Sequence, residues 1–214
     1  RIVCAREMSL EEIRIMRAEL PDDIEIESFV HGAMCISYSG RCLLSNYMTG
    51  RNSNLGACAH PCRWNYSLVE EKRPGEYFDV FENERGTFIF NSKDLCTIEH
   101  IPELVKSGIA SLKIEGRVKT SFYVATVVGA YRREIDRYCA DPENYVFNPE
   151  ELEELCKVSH RPYTTGFYFG RPGTDGQVYE TSSYIRDYEL VGIVTGYDSG
   201  RITLTQRNRF FEGD

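Results

Sequence analysis

Apolar residues along the chain follow several rhythms, and each predicts a different element. "RIVCARE" (Arg1 to Glu7) sets Ile2, Val3 and Cys4 side by side, the run expected of a buried strand. "SLEEIRIMRAEL" opens with Ser9 and has Glu12 three residues later, a capping box, and then lines Leu10, Ile13, Met16 and Leu20 broadly along one helical face. "DIEIESFVHG" (Asp23 to Gly32) alternates as a second strand. Strand, helix and strand in succession imply parallel strands in an α/β architecture.

From Cys35 to about Phe90 that order is lost. Gly, Asn, Ser and Arg interrupt the apolar spacing around "SNYMTGRNSNLGACAHPC", and a loop this long needs a function or a staple to hold a shape. "YSLVEEKRPGEYFDVFENERGTFIFNS" predicts a small antiparallel excursion with a turn at Pro74–Gly75. The α/β pattern resumes with a helix over "DLCTIEHIPELVKSG", stopped by Gly108. A strand over Ile109–Arg117, a long helix from about Ser121 to Tyr138 and a short helix from about Pro149 to Val158 follow. After them "RPYTTGFYFGRPG" opens an aromatic, Gly-rich, β-type region. The expected organisation is an α/β unit over residues 1–145, with an insertion at about 35–90, and a second unit over 146–214 that begins as a helical linker. About three strands in the first unit are too few to close a barrel of eight. If a barrel is the parent fold, its opening strands lie outside this sequence. The absence of an initiator Met and a last run that stops inside a strand pattern fit a fragment of a longer protein.

Composition narrows the class. With 42% hydrophobic and 27% charged residues the chain has the balance of a soluble globular protein. No apolar run approaches the roughly eighteen residues that cross a bilayer, so no membrane association is expected. Eight cysteines would suit a disulfide scaffold only in a smaller, secreted chain, and no leader is visible. A reducing compartment, the cytoplasm, is therefore expected. The net charge of −8 disfavours nucleic-acid binding unless basic residues gather on one face. "LKIEGRVK" and "YRREIDR" are locally basic, and each reads first as a solvated face.

The chemistry concentrates in four cysteines, Cys35, Cys42, Cys58 and Cys62, spaced C-x6-C-x15-C-x3-C. Thiolates so spaced on Gly-rich backbone suit a tetrahedral zinc or an iron–sulfur cluster; buried structural thiols and disulfides are the alternatives. His60 lies inside the second pair, and Cys96 is a spare thiol near a helix start. Cys4, Cys139 and Cys156 have no ligand spacing and read as packing. "SLKIEGR" puts Lys113, Glu115 and Arg117 on one strand face, either a salt-bridged edge or an active-site wall. Alternation likewise puts Glu27, Phe29 and His31 on one side of a strand that leads toward Cys35. "CRWNY" sets Arg63 beside Trp64 and Tyr66, a cation and aromatics able to stack a planar ligand or, otherwise, to pack in the core. HExxH, G-x-S-x-G, a phosphate loop and a dinucleotide fingerprint are all missing.

"ESFVHGAMCISYSGRCLLS" resembles the signature of peptidase family U32, the collagenase-like peptidases, at Glu27, Phe29, Gly32, Ala33, Cys35, Gly40, Cys42 and Ser45. "NLGACAHPCRWNY", "FNSKDLC", "IASLKIEGRVKTSFYV" and "SHRPYTTGFYFG" resemble it too. The resemblance implies a TIM-barrel-like catalytic part, of which only the later strands are here, with a cysteine-bearing insertion, followed by the start of a small β-barrel domain. It is strongest to the family's tRNA-hydroxylation branch. That branch implies a [4Fe–4S] cluster on Cys35, Cys42, Cys58 and Cys62, tRNA wobble-uridine hydroxylation, and prephenate in the pathway. Glu27, His31, Lys113, Glu115 and Arg117 are then expected to line the catalytic cavity, with Arg63 and Tyr66 positioning substrate. Two other functions compete: a metal-assisted, collagenase-like endopeptidase acting on peptides, and a zinc-stapled scaffold without catalysis.

Overall fold

The computed structural model describes residues 1–35, 37–64, 67–68, 78–79, 92–117, 119–172, 176, 178 and 184–213. In chain order the elements are β1 (Ile2–Val3), α1 (Leu10–Glu19), β2 (Ile26–Ala33), α2 (Leu44–Thr49), β3 (Ser67–Leu68), β4 (Phe78–Asp79) and β5 (Asp94–Cys96). There follow α3 (Ile101–Lys106), β6 (Ser111–Ile114), α4 (Ser121–Ala140), α5 (Pro149–Cys156), β7 (Tyr163–Thr164), β8 (Gly192–Asp198) and β9 (Arg201–Gln206). Short 3-10 turns cover Ser53–Leu55, Pro61–Arg63 and Ile98–His100.

Strand β2 is the centre of the main sheet. It pairs in parallel with β1 (Ile2 opposite Ile26) and with β6 (Glu27 opposite Ser111, Phe29 opposite Lys113). The C-terminal half of β2 pairs antiparallel with β5, which in turn runs parallel to β7. The result is a mixed α/β fold whose sheet does not close into a barrel among the described residues. The Ser67–Leu68 and Phe78–Asp79 strands form the expected antiparallel pair, and the Pro74–Gly75 turn lies outside the described residues. Beyond residue 190, β8 and β9 form an antiparallel hairpin of mostly exposed residues. No described helix is long and apolar enough to cross a membrane.

The local rules account for the helices. Ser9 Oγ accepts from the Glu12 N–H while the Glu12 carboxylate accepts from the Ser9 N–H at 2.8 Å, so both sides of the capping box are made. Thr120 caps α4 by accepting from the Tyr123 N–H at 3.1 Å. The buried face of α4 then runs Tyr123, Val127, Ala130, Tyr131, Glu134 and Tyr138, the three-and-four spacing of one helical stripe. Glu134 is tolerated there because Tyr145 donates to it at 2.6 Å and Arg137 lies 3.4 Å away. Ile13, Ile26, Val30, Ile98, Ile101, Leu104, Val127 and Leu155 are wholly buried and make the core between helices and sheet.

The helix expected over "DLCTIEHIPELVKSG" is shorter than its pattern. Asp94–Cys96 is strand β5, held by pairing with β2 and β7, and Pro102 sits in the first turn of a helix that begins only at Ile101. Tyr131 reinforces the change, donating to Val30 O and accepting from the Thr97 N–H. Gly108 does end the segment, with a left-handed φ of 85°.

A β-bulge around Val30 breaks the alternation of β2, so Phe29 opposes Lys113 and His31 opposes Ile114. Val30 and His31 are consequently both buried. The His31 ring, 1% exposed, sits 5.4 Å from the Tyr163 ring, 5.5 Å from Tyr131 and 6.1 Å from Tyr123. Neither ring nitrogen has a hydrogen-bond partner among the described residues. Burial, helped by the charges of Lys119 and His160, lowers its pKa to about 3. The unfolded chain therefore takes up a proton below pH about 6.5 that the folded chain refuses, and stability falls as pH drops through that range. Between pH 7.5 and 5.5 this residue alone should cost about 1.4 kcal/mol of unfolding free energy. His31→Leu is expected to remove that part of the pH dependence in urea titrations at the two pH values; equal pH dependence in both proteins would refute the assignment.

Candidate active site

Three parallel strands end on the same side of the sheet, and the residues just past their ends meet. Arg6 follows β1, Cys35 follows β2, and Glu115 and Arg117 follow β6. The carboxyl ends of parallel strands are where α/β folds build their crevices. Here they border a cavity of about 90 Å³ whose wall also carries Cys42, Cys58 and Cys62. Four cysteines, one carboxylate and two guanidinium groups thus share one small space.

Gly32 makes the approach possible. Its φ is +104°, and a Cβ there would lie 2.4 Å from the Glu115 carbonyl oxygen. With no side chain, β2 lets the backbone after β6 come close enough to deliver Glu115 to the cavity. Glu115 is then clamped. Arg6 Nη2 stands 3.3 Å and Arg117 Nη2 3.2 Å from its Oε2, and the Arg117 N–H donates to Oε1 at 2.9 Å. Burial alone would raise the Glu115 pKa, but the Arg117 hydrogen bonds and the charges of Arg117 and Arg6 hold it below the usual carboxylate range. Arg6 itself stacks over the Phe29 ring at 3.7 Å. Burial lowers its pKa, from so high a start that the guanidinium keeps its proton.

The cysteine loop is tied to this clamp. Arg117 Nη1 donates to the Gly56 carbonyl, and the Ser39 N–H donates to Glu7 Oε1 at 3.0 Å. The Ala59 N–H donates to the buried Ser45 Oγ at 3.0 Å, which fastens the Cys58 segment to α2. Cys42 precedes α2. Burial works to raise its thiol pKa, yet the backbone N–H groups of Leu44 and Ser45 and the hydroxyls of Ser37 and Ser53 outweigh it and lower the value. Cys35 is pushed up, first by burial and then by Cys42 and Cys58, against the pull of Arg6. The His60 N–H donates to Cys58 Sγ at 3.3 Å. All eight cysteines are free thiols. Among the described residues no three His, Cys, Asp or Glu side chains gather round a single ion-sized point. All four cysteines border the cavity.

The remaining expected residues fall elsewhere. Glu27 sits at the opposite end of β2, bound to Ser111 at 2.8 Å, Arg1 at 3.0 Å and Lys113 at 3.2 Å. Lys113 belongs to that edge ion pair and lies 5.4 Å from the Phe29 ring that Arg6 also covers, while Glu115 and Arg117 lie beyond the strand at the cavity. His31 is buried under the bulge and is not on the cavity wall. Arg63 lies in the Pro61–Arg63 turn, its side chain outside what the structure describes, and Tyr66 lies outside the described residues. Arg6 was missed as a site residue. The available signal was its place directly after an apolar strand in a strand–helix–strand pattern.

The model of peptidase family U32 matches residues 1–177. The chain belongs to peptidase family U32. Within the family it is 50% identical, over its whole length, to tRNA hydroxylation protein P1 of Bacillus subtilis (strain 168) and covers 50% of that protein. It is 39% identical over its whole length to tRNA hydroxylation protein P of Escherichia coli (strain K12), covering 55% of it. An uncharacterized protease of Methanocaldococcus jannaschii is 44% identical over 79% of the chain, which covers 41% of that relative. The chain thus spans about half the length of the curated relatives it matches. No solved structure matches it.

In this member of family U32 the Gly32–Glu115 contact is the joint on which the site turns. Gly32→Ala should cost about 3 kcal/mol, because a Cβ meets backbone and the φ is unfavourable to any L side chain. The melting temperature should fall by about 6–12 °C. An unchanged melting temperature would show that β2 and β6 do not approach as closely as described.

Proposed function

We propose that the chain is part of an iron–sulfur-dependent enzyme that hydroxylates tRNA, with the wobble uridine as target. The observation that carries this is the convergence of Cys35, Cys42, Cys58 and Cys62 on one cavity wall at the strand ends. Relatives at 50% and 39% identity named as tRNA hydroxylation proteins support the substrate. The sheet would be the later part of a TIM-barrel-like catalytic domain carrying a cysteine-bearing insertion. The hairpin of β8 and β9 would begin a small β-barrel domain. Working on tRNA, the protein would act in the cytoplasm.

The donor set fits a [4Fe–4S] cluster. Thiolates are its ligands, and a polynuclear cluster needs them spread round a space rather than at about 2.3 Å from one centre, as a closed zinc site does. Cys35, Cys42, Cys58 and Cys62 would hold it, and it would supply electron transfer to the oxidation of the base. The protein's own part is electrostatic. Arg6 favours the Cys35 thiolate, and Arg6 and Arg117 together offset negative charge beside the thiols. Glu115 remains ionised and fixes both guanidinium groups.

That same carboxylate weighs against hydrolysis. A water-activating base works best with a pKa near the working pH, and Glu115 is held lower than an ordinary carboxylate.

The test uses cells lacking the full-length protein and measures hydroxylated uridine in their tRNA by mass spectrometry. The wild-type gene should restore the modification, and Cys58→Ser should reduce it at least about tenfold. Full modification with Cys58→Ser, or gelatin cleavage that survives rigorous purification and vanishes with Glu115→Gln, would overturn the proposal.

A further inference from the structure

A second, larger space adjoins the cysteine cavity, and its chemistry differs. It is a cleft of about 840 Å³ bounded by the Cys58–Cys62 loop, the start of α4 and the segment from Tyr184 to Leu190. His60 lies on the wall of both spaces, so the cysteine loop is the partition between them. Lys119, Arg186 and Arg207 line the cleft together with Lys157, which is paired with Glu154, and one acidic residue, Glu189, lies on the same wall. In a chain of net charge −8 this is a local reversal of sign. The same cleft is lined by Trp64, 43% exposed, and Tyr188, 60% exposed. An indole and a phenol left open to water beside guanidinium groups are what a strand of stacked bases and phosphates requires.

The cations are organised rather than scattered. Lys119 Nζ lies 4.3 Å from the Tyr184 ring centre and 4.8 Å from that of Tyr123, and donates to the Ser159 carbonyl at 2.8 Å. Arg186 Nε donates to Ser159 Oγ at 3.2 Å. Arg186 and Arg207 are exposed and face the cleft from the segments before β8 and after β9. Positive charge alone would attract any polyanion. Exposed aromatics beside it select unpaired nucleotides, whose base faces are free to stack. A folded duplex would present only its phosphates and leave Trp64 and Tyr188 uncovered.

We infer that this cleft binds an unpaired RNA strand, with phosphates on Arg186 and Arg207, a base stacked on Trp64, and the neighbouring base directed past His60 toward the cysteine cavity. The inference rests on the RNA-hydroxylation reading above and assigns its substrate-binding surface to residues outside the cysteine site. Enzymes acting on a base draw it from the stack into a pocket, and two adjoining spaces divided by one residue suit that division of labour.

The test is fluorescence-anisotropy binding of a labelled RNA hairpin with a seven-nucleotide, uridine-containing loop to the full-length protein, read across a range of salt concentrations. Trp64→Leu should weaken binding about tenfold at every salt concentration and leave the salt slope unchanged. Arg186→Gln combined with Arg207→Gln should reduce the slope of log K against log salt by about 1.4, roughly 0.7 for each lost contact to a single strand. Both proteins should keep the wild-type iron content, which separates a binding defect from a damaged cysteine site. If the wild-type protein binds the hairpin and the variants bind it equally well, the cleft assignment is wrong while the RNA reading stands. If the wild-type protein fails to bind the hairpin at all, the assignment and the RNA reading fall together.

Discussion

One carboxylate holds the candidate site together. Glu115 joins the segment after β6 to the segment after β1 through Arg6, and Arg117, which grips the same carboxylate, also reaches the Gly56 carbonyl of the cysteine loop. The contact is possible only because Gly32 presents no side chain to the Glu115 backbone. Removing one member of such a partly buried set leaves a charge without its partner, which costs far more than the net worth of the pair. Arg117 makes the more numerous hydrogen bonds to the carboxylate, through its backbone N–H and its guanidinium, and Arg6 is the more buried of the two.

The cysteine loop depends on that frame because it has little of its own. Helix α2 has six residues, the flanking turns three each, and no disulfide braces them. What fixes Cys42 and Cys58 is a set of hydrogen bonds through Ser37, Ser45 and Ser53 and the backbone of Leu44 and His60. A loop so held is positioned but not rigid, and four thiols round one cavity are the means by which a bound cluster would brace it. The protein would thus supply the geometry of its ligands from the strand ends and gain the stability of its loop from the cluster.

Much of this was legible in the sequence because it is local. The Ser9–Glu12 capping box, the stop at Gly108 and the long helix α4 follow from neighbours within a few positions, and each appears where the pattern puts it. What failed was non-local. Alternation put Glu27, Phe29 and His31 on one face, but a bulge at Val30 turns His31 inward, and strand direction carries Glu27 to the far end of β2. Lys113 is taken up by Glu27, whereas Glu115, whose N–H still donates to the His31 carbonyl, and Arg117 reach the cavity. Asp94–Cys96 became a strand because β2 and β7 offered it partners, which no helical spacing can reveal. Arg6 escaped notice because its role exists only once β1 and β6 are side by side.

One iron–sulfur cluster held by Cys35, Cys42, Cys58 and Cys62 is the proposal on which the rest depends. Its most direct test is the metal and acid-labile sulfide content of the full-length protein purified without oxygen. About four irons and four sulfides per chain are expected, with visible absorption that bleaches on reduction. One zinc per chain and no sulfide would contradict it.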